Sequence, residues 1–399
     1  MSQLLRIESP ASVPGPTGLP LLRLGFRPFY LLAALHAVLL VPLWVLVHRG
    51  ALAAPAGLPP MWWHAHEMIY GFAFAVVTGF LFTAVRNWTG RPTPTGWRLG
   101  GLALLWVVVR VCLLLGAARA GLLLEMAFLL LVAIALLVPL LGAANRRNYF
   151  VGLLPLVLLA ADAAIYAATF VDGFPVTADT MLRLALYLIV LLTGVIGGRV
   201  IPMFTLNAVR GLKQFKDVRL DRAALGATAA ALACDVAGVG GAPLAAIALA
   251  AAALQAARLW GWRPLATGAN PLLWILHVSY AWTVVGLVLL ALSSSGAIAR
   301  ALALHAFGLG LVGGLIIGMV TRTALGHTGR MLVAGRSETA MFALVPLAAA
   351  LRVFGPMIAP DAYLSWVAWA AVPWSLAFLL YLWVYVPRLC GARVDGRDG

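Results

Sequence analysis

Charged side chains are scarce in this sequence: Asp, Glu, Lys and Arg together make up 10% of it, against roughly 25% in a soluble domain. Acidic residues are scarcer still, 13 among 399. A chain so poor in charge cannot clothe a water-exposed surface, which excludes a soluble enzyme and, despite the formal net charge of +15, a nucleic-acid binder. Cysteine is equally sparse. Cys112, Cys234 and Cys390 form no CxxC or CxxCH, so there is no disulfide framework, no thiolate zinc signature and no covalent haem attachment.

What is present is apolar, 63% of the residues. Runs long enough to cross a bilayer lie between charged or Pro/Gly punctuation at about 29–47, 64–85, 99–117, 121–142, 149–170, 181–202, 222–239, 243–258, 270–292, 299–321, 339–355 and 362–386. The fold expected is therefore an all-α polytopic membrane helix bundle of about twelve transmembrane helices. Residues 29–386 form its transmembrane domain, between N-terminal (1–28) and C-terminal (387–399) tails. The runs at 222–239 and 243–258 are short and rich in Ala and Gly. Charge bias supports the count: 22 of the 28 Lys and Arg fall on one side of this arrangement. Only Arg49, Arg119, Arg183, Arg300 and Arg352 fall on the other, with Arg110 inside the third run. The positive-inside rule then places both termini in the cytoplasm of a bacterial-type inner membrane. The N-terminal segment has no apolar core of a cleaved leader. Trp44, Trp62 and Trp63 are expected in an interfacial aromatic belt.

The second and tenth runs share an ungapped pattern at an offset of 239 residues. His66 matches His305, Gly71 matches Gly310, Gly79 matches Gly318, and Thr89-Gly90-Arg91 matches Thr328-Gly329-Arg330. A looser relative in the sixth run carries Gly194, Gly197, Gly198 and Arg199, which suggests internal repeats. Close helix packing alone would explain the glycines. A histidine at the same depth twice, with glycine beside it, also suits a flat cofactor ligated by a ring nitrogen.

Histidine inside hydrocarbon is costly and marks a candidate site. His64, His66 and His305 read as one outer layer, and His36 and His277 as an inner one, with His48 and His327 in loops. Residues two apart on a continuous helix point about 200° away from each other, so His64 and His66 cannot chelate one ion there. Either the helix begins after His66, where Glu67 would complement its N-terminal dipole, or the two histidines serve different partners. Imidazole without a thiolate pair suits copper, iron or zinc. Among the few acids, Glu67 is the candidate proton donor, with a charge at a helix start as the alternative, and Asp162 is a possible partner of Arg110. Tyr70 and Tyr280 share helix faces with His66 and His277.

Several stretches carry a family likeness: HAHEMIYGFAFAVVTGFLFTAVRNWTG from His64 to Gly90, GGRVIPMFT from Gly197 to Thr205, PLLWILHVSYAW from Pro271 to Trp282 and GMVTRTALGHTGR from Gly318 to Arg330. With FRPFYLLAALHAVLLVPLW near the N-terminus, the chain resembles the NnrS family over nearly its whole length. The resemblance implies a twelve-span inner-membrane protein containing haem, of the non-covalent b type here, and copper, and acting in the bacterial nitric oxide response. It implies haem and metal ligands drawn from His64, His66, His277 and His305, with His327 next; the shared pattern, and not the resemblance, is what places Gly71 and Gly310 beside a flat cofactor. The activity it points to is reduction of nitric oxide to nitrous oxide, with Glu67 delivering protons. Quinol or another electron donor would be needed, because no CxxCH haem or soluble redox domain is visible. A haem and copper protein that senses or sequesters nitric oxide without turnover would use the same ligands. A secondary transporter is the third class.

Overall fold

The computed structural model describes residues 18–397. Twelve long helices follow one another: α1 (Phe26–His48), α2 (Pro60–Thr89), α3 (Gly96–Leu114), α4 (Ala118–Gly142), α5 (Tyr149–Phe170) and α6 (Ala178–Ala208), then α7 (Val218–Val236), α8 (Gly241–Gly261), α9 (Pro271–Ser294), α10 (Arg300–His327), α11 (Arg336–Ile358) and α12 (Tyr363–Cys390). Among the described residues, eleven are long and apolar enough to cross a membrane. The exception is α7, whose first turns hold Arg219, Asp221 and Arg222, although at 19 residues it is comparable in length to its antiparallel neighbour α8. Helix boundaries overshoot the apolar runs where polar caps extend them. Thr177 Oγ1 accepts from the Thr180 N–H to start α6, Asp217 caps α7, and Asn270 with Pro271 opens α9. Glycine closes α2: Gly90 sits at φ 65°, a left-handed position that costs residues with a Cβ.

α2 and α10 are the most enclosed helices and form the centre. Around them α1, α3, α4, α5, α6, α7, α8, α9, α11 and α12 pack neighbour against neighbour, with α12 returning to α1. The ring helices turn leucine, isoleucine and valine outward, as Leu123, Leu130, Ile134 and Val138 of α4 show, because lipid is as apolar as the core. Close approach at the centre depends on glycine. A Cβ on Gly79 of α2 would lie 3.0 Å from the Phe26 Cα of α1. Both central helices also depart from α geometry in the same place. Residues Glu67–Ala73 of α2 and Ala306–Gly313 of α10 are π-helical, each segment starting directly after the histidine of the shared pattern. π segments are rare and concentrate at functional sites.

Two of the three tryptophans expected in a belt face protein and not lipid, while Trp62 is half-buried. Trp63 is buried, and Trp44 stacks on His64 at 4.5 Å and on His48 at 5.0 Å, inside the bundle. The sparse outer arginines are not bare loop charges either. Arg183 and Arg300 both pair with the buried Asp235 of α7.

Candidate metal and proton site

Pro59 and Pro60 stop any earlier helix, but α2 then runs without a break through Trp63, His64 and His66. The first alternative, a helix beginning after His66, is thereby set aside. The two histidines leave opposite faces of one helix and meet different partners. Glu67 is likewise not a helix-start charge; it lies in the π segment and is 2% exposed.

On one face of α2, His64 and Met68 line a cavity of about 70 Å³ together with Trp44 of α1, His305 and Leu309 of α10, Arg352 of α11 and Trp374 of α12. The His305 Nδ1 donates to the Ala301 carbonyl at 2.7 Å, which leaves its Nε2 with the lone pair. The His64 Nδ1 is buried and has no hydrogen-bond partner among the described residues. Two imidazoles with uncommitted nitrogens thus reach one small space, beside a thioether.

The other face carries ions. His66 Nε2 lies 3.0 Å from Asp162 Oδ1 of α5, and its Nδ1 lies 3.4 Å from Glu67 Oε1. Both ring nitrogens are therefore taken by carboxylates. Glu67 accepts from Arg110 Nη1 at 2.7 Å, and His36 Nε2 of α1 donates to the Glu67 backbone carbonyl at 3.3 Å while lying 3.4 Å from the other carboxylate oxygen. Arg110 also pairs with Glu125 of α4. The partner expected for Arg110, Asp162, belongs instead to His66. His36, assigned to an inner layer, joins the outer group through Glu67. Tyr70 stacks on His66 at 4.6 Å and donates to the Leu158 carbonyl. The result is a buried chain His36–Glu67–His66–Asp162 with Arg110 and Glu125 balancing its charge.

The remaining sequence candidates lie elsewhere. The His277 Nε2 meets Thr205 Oγ1 at 2.9 Å, its Nδ1 has no partner among the described residues, and its ring faces Trp262 edge-on. Thr205 and His277 come from two of the family-like stretches. His327 is the last residue of α10, its ring 5.6 Å from Phe26 and its carbonyl accepting from Arg393; His48 ends α1. The faces of Gly71 and Gly310 are filled by protein. A Cβ on Gly71 would lie 2.7 Å from His36 Nε2 and 2.9 Å from Arg110 Nη1, and the Trp282 indole covers Gly310. Sequence reasoning missed Glu125, Trp44 and Arg352. An arginine alone in an apolar run, such as Arg352, was the available signal.

The match to known families decides what these observations attach to. Residues 20–393 match the family model described as NnrS protein. The chain belongs to the NnrS family. No curated protein matches it. The haem and copper that NnrS membership implies can be tested against the donors. A copper ion fits His64, His305 and Met68, since imidazole and thioether suit copper and both imidazoles have a nitrogen to give. Among the described residues no three His, Cys, Asp or Glu side chains gather as a metal-holding group, so Met68 or a small ligand would complete such a site. Haem fits less well. The His64/His305 cavity, at about 70 Å³, is far below the roughly 300–1,000 Å³ of a cofactor-sized pocket, so haem would be held elsewhere, with His277, whose buried Nδ1 has no partner among the described residues, as the candidate ligand.

Proposed function

We propose that this NnrS protein acts in nitric oxide metabolism at the bacterial inner membrane, with both termini cytoplasmic, and reduces nitric oxide to nitrous oxide with haem and copper as cofactors. One observation carries the reading. Two central helices bring His64 and His305, each with an uncommitted ring nitrogen, to one apolar cavity, while the opposite face of α2 holds a chain of proton-exchanging groups. Two nitric oxide molecules need two electrons and two protons to give one nitrous oxide and one water. The bound metals would supply the electron-transfer chemistry and a place for nitric oxide to bind.

This chain's residues do the rest. His64 and His305 would hold the metal, with the His305 tautomer fixed by Ala301, and Met68 would offer a soft third donor. Trp44, Val367, Ala370 and Trp374 keep water out of the cavity, whose apolar wall admits a small neutral gas from lipid. Glu67 and His66 are in hydrogen-bond reach, and Glu67 also contacts His36, so a proton can be handed along them without leaving protein. A reading without turnover, in which the protein only binds nitric oxide, is favoured by one feature. The Glu67 carboxylate is held in an ion pair with Arg110.

The test is a spectrum and metal analysis of the purified protein, followed by nitric oxide and a reductant. A Soret band, bound copper and repeated formation of nitrous oxide are expected. Stoichiometric uptake of nitric oxide without nitrous oxide selects the binding reading, and a colourless, copper-free protein overturns both.

A further inference from the structure

The largest cavity that touches the proton chain opens in a different direction, towards lipid. It has a volume of about 220 Å³ and lies between α1 and α3 on the Glu67 side of α2. Its mouth is formed by Leu35, Leu39, Val111 and Leu114, between 45% and 61% or so exposed on the bundle's outer surface. Its inner wall is apolar and aromatic, lined by the indoles of Trp63 and Trp106, with His36, Glu67 and Arg110 contributing little polar surface at its inner end. Trp106 stands edge-on to His36 at 5.6 Å, and the Arg110 guanidinium lies 5.6 Å from its ring centre. The Nε1–H groups of Trp63 and Trp106 are buried and have no hydrogen-bond partner among the described residues. A buried donor without an acceptor is costly and points to a missing partner atom.

We propose that this cavity binds the head group of a membrane quinone. The occupant must come from the lipid phase, must be flat enough to lie among two indoles and an imidazole, and must bring acceptors for two N–H donors. It must also bring a group able to exchange a proton with His36 or Glu67. An acyl chain meets only the first requirement. A substituted six-membered ring with two carbonyl or hydroxyl oxygens meets all four, and its isoprenoid tail runs out past Leu39 into the bilayer. The assignment deepens the reductase reading and supplies its donor. One quinol carries the two electrons and two protons that two nitric oxide molecules require, so that quinol and two nitric oxide give quinone, nitrous oxide and water. The ring and the metal candidates His64 and Met68 then lie on neighbouring faces of a single helix, about 100° apart, because Trp63 and Glu67 each precede one of the metal candidates by one residue.

The experiment is photolabelling of the full chain in lipid nanodiscs with an azidoquinone, mapped by mass spectrometry and competed with decylubiquinone. Label is expected on α1 around residues 35–43 and on α3 around 106–114, and decylubiquinone should remove it while decanol does not. Trp106→Phe keeps the aromatic wall but removes one donor, and should weaken competition by about tenfold, the size of one buried hydrogen bond. Leu39→Trp, at an exposed position that folding does not depend on, should block labelling. Label elsewhere, or equal competition by decanol, overturns the site. Because the readout is binding, the two ideas fail separately. A protein that takes the label but forms no nitrous oxide refutes the reductase reading alone. One that turns over with an artificial donor yet takes no label refutes the quinone site alone.

Discussion

Arg110→Leu is the substitution with the largest expected effect on stability. The Arg110 side chain is 7% exposed and neutralises two carboxylates, Glu67 at 2.7 Å and Glu125, that are themselves 2% and 0% exposed. Bringing these charges out of water costs several kcal/mol per ion, which mutual attraction offsets only while the set is complete. Removing the cation alone therefore leaves buried negative charge, a loss of about 3–5 kcal/mol. Removing all the charges together, as Arg110→Leu with Glu67→Gln and Glu125→Gln, should restore most of that stability, because uncharged groups have no such debt of hydration. Unfolding in mixed micelles with increasing SDS, followed by tryptophan fluorescence, reads both variants. A loss below about 1 kcal/mol for the single variant, or a triple variant no more stable than the single one, would refute the argument that the set acts as a unit.

Copper content should fall in His64→Ala and in His305→Ala and stay unchanged in His327→Ala, as metal analysis of the purified proteins will show; equal copper in all three removes the assignment. Gly71→Ala should destabilise by about 1–3 kcal/mol, because its methyl would press on His36 and Arg110, and an unchanged melting temperature would mean that the network yields freely. Cys390 is exposed at the end of α12, so a membrane-impermeant maleimide should label it only after cells are opened; labelling of intact spheroplasts would reverse the topology.

The spans were legible because hydropathy is a local property, and the extra length of α6 and the early start of α2 were not, because hydropathy does not register a polar first turn such as Thr177–Thr180, and Pro60 reads as a break as readily as a first helical residue. The separation of His64 from His66 followed from helix geometry alone once the helix was continuous, and continuity turned on Pro60 serving as a first helical residue rather than as a break. The partners of Arg110 were beyond reach. Asp162 and Glu125 are both single acids in apolar runs, and choosing between them requires knowing that α3 packs on α4 and that α5 presents its acid to α2 instead. Long-range packing of this kind leaves no periodic trace in the chain.

The shared pattern at an offset of 239 residues gains a physical reading from the backbone. In a π segment the turn widens, and the residues on either side of it no longer keep α-helical spacing. In α2 the segment begins at Glu67, so His64 and His66 are set by the regular helix above while Glu67 and Tyr70 are set by the widened turns below. One helix thus supplies His64 and Met68 to one cavity and Trp63 and Glu67 to the other, each pair four residues apart. In α10 the corresponding segment follows His305, whose Nδ1 is occupied by the carbonyl of Ala301 one turn earlier, so the ring is held in place before the helix widens. The glycines that the pattern shares fit the same account. Gly71 makes room for His36 and Arg110 to reach Glu67, and Gly310 for Trp282, so what the pattern encodes is close packing around two widened helices, with the histidine as the group each one presents.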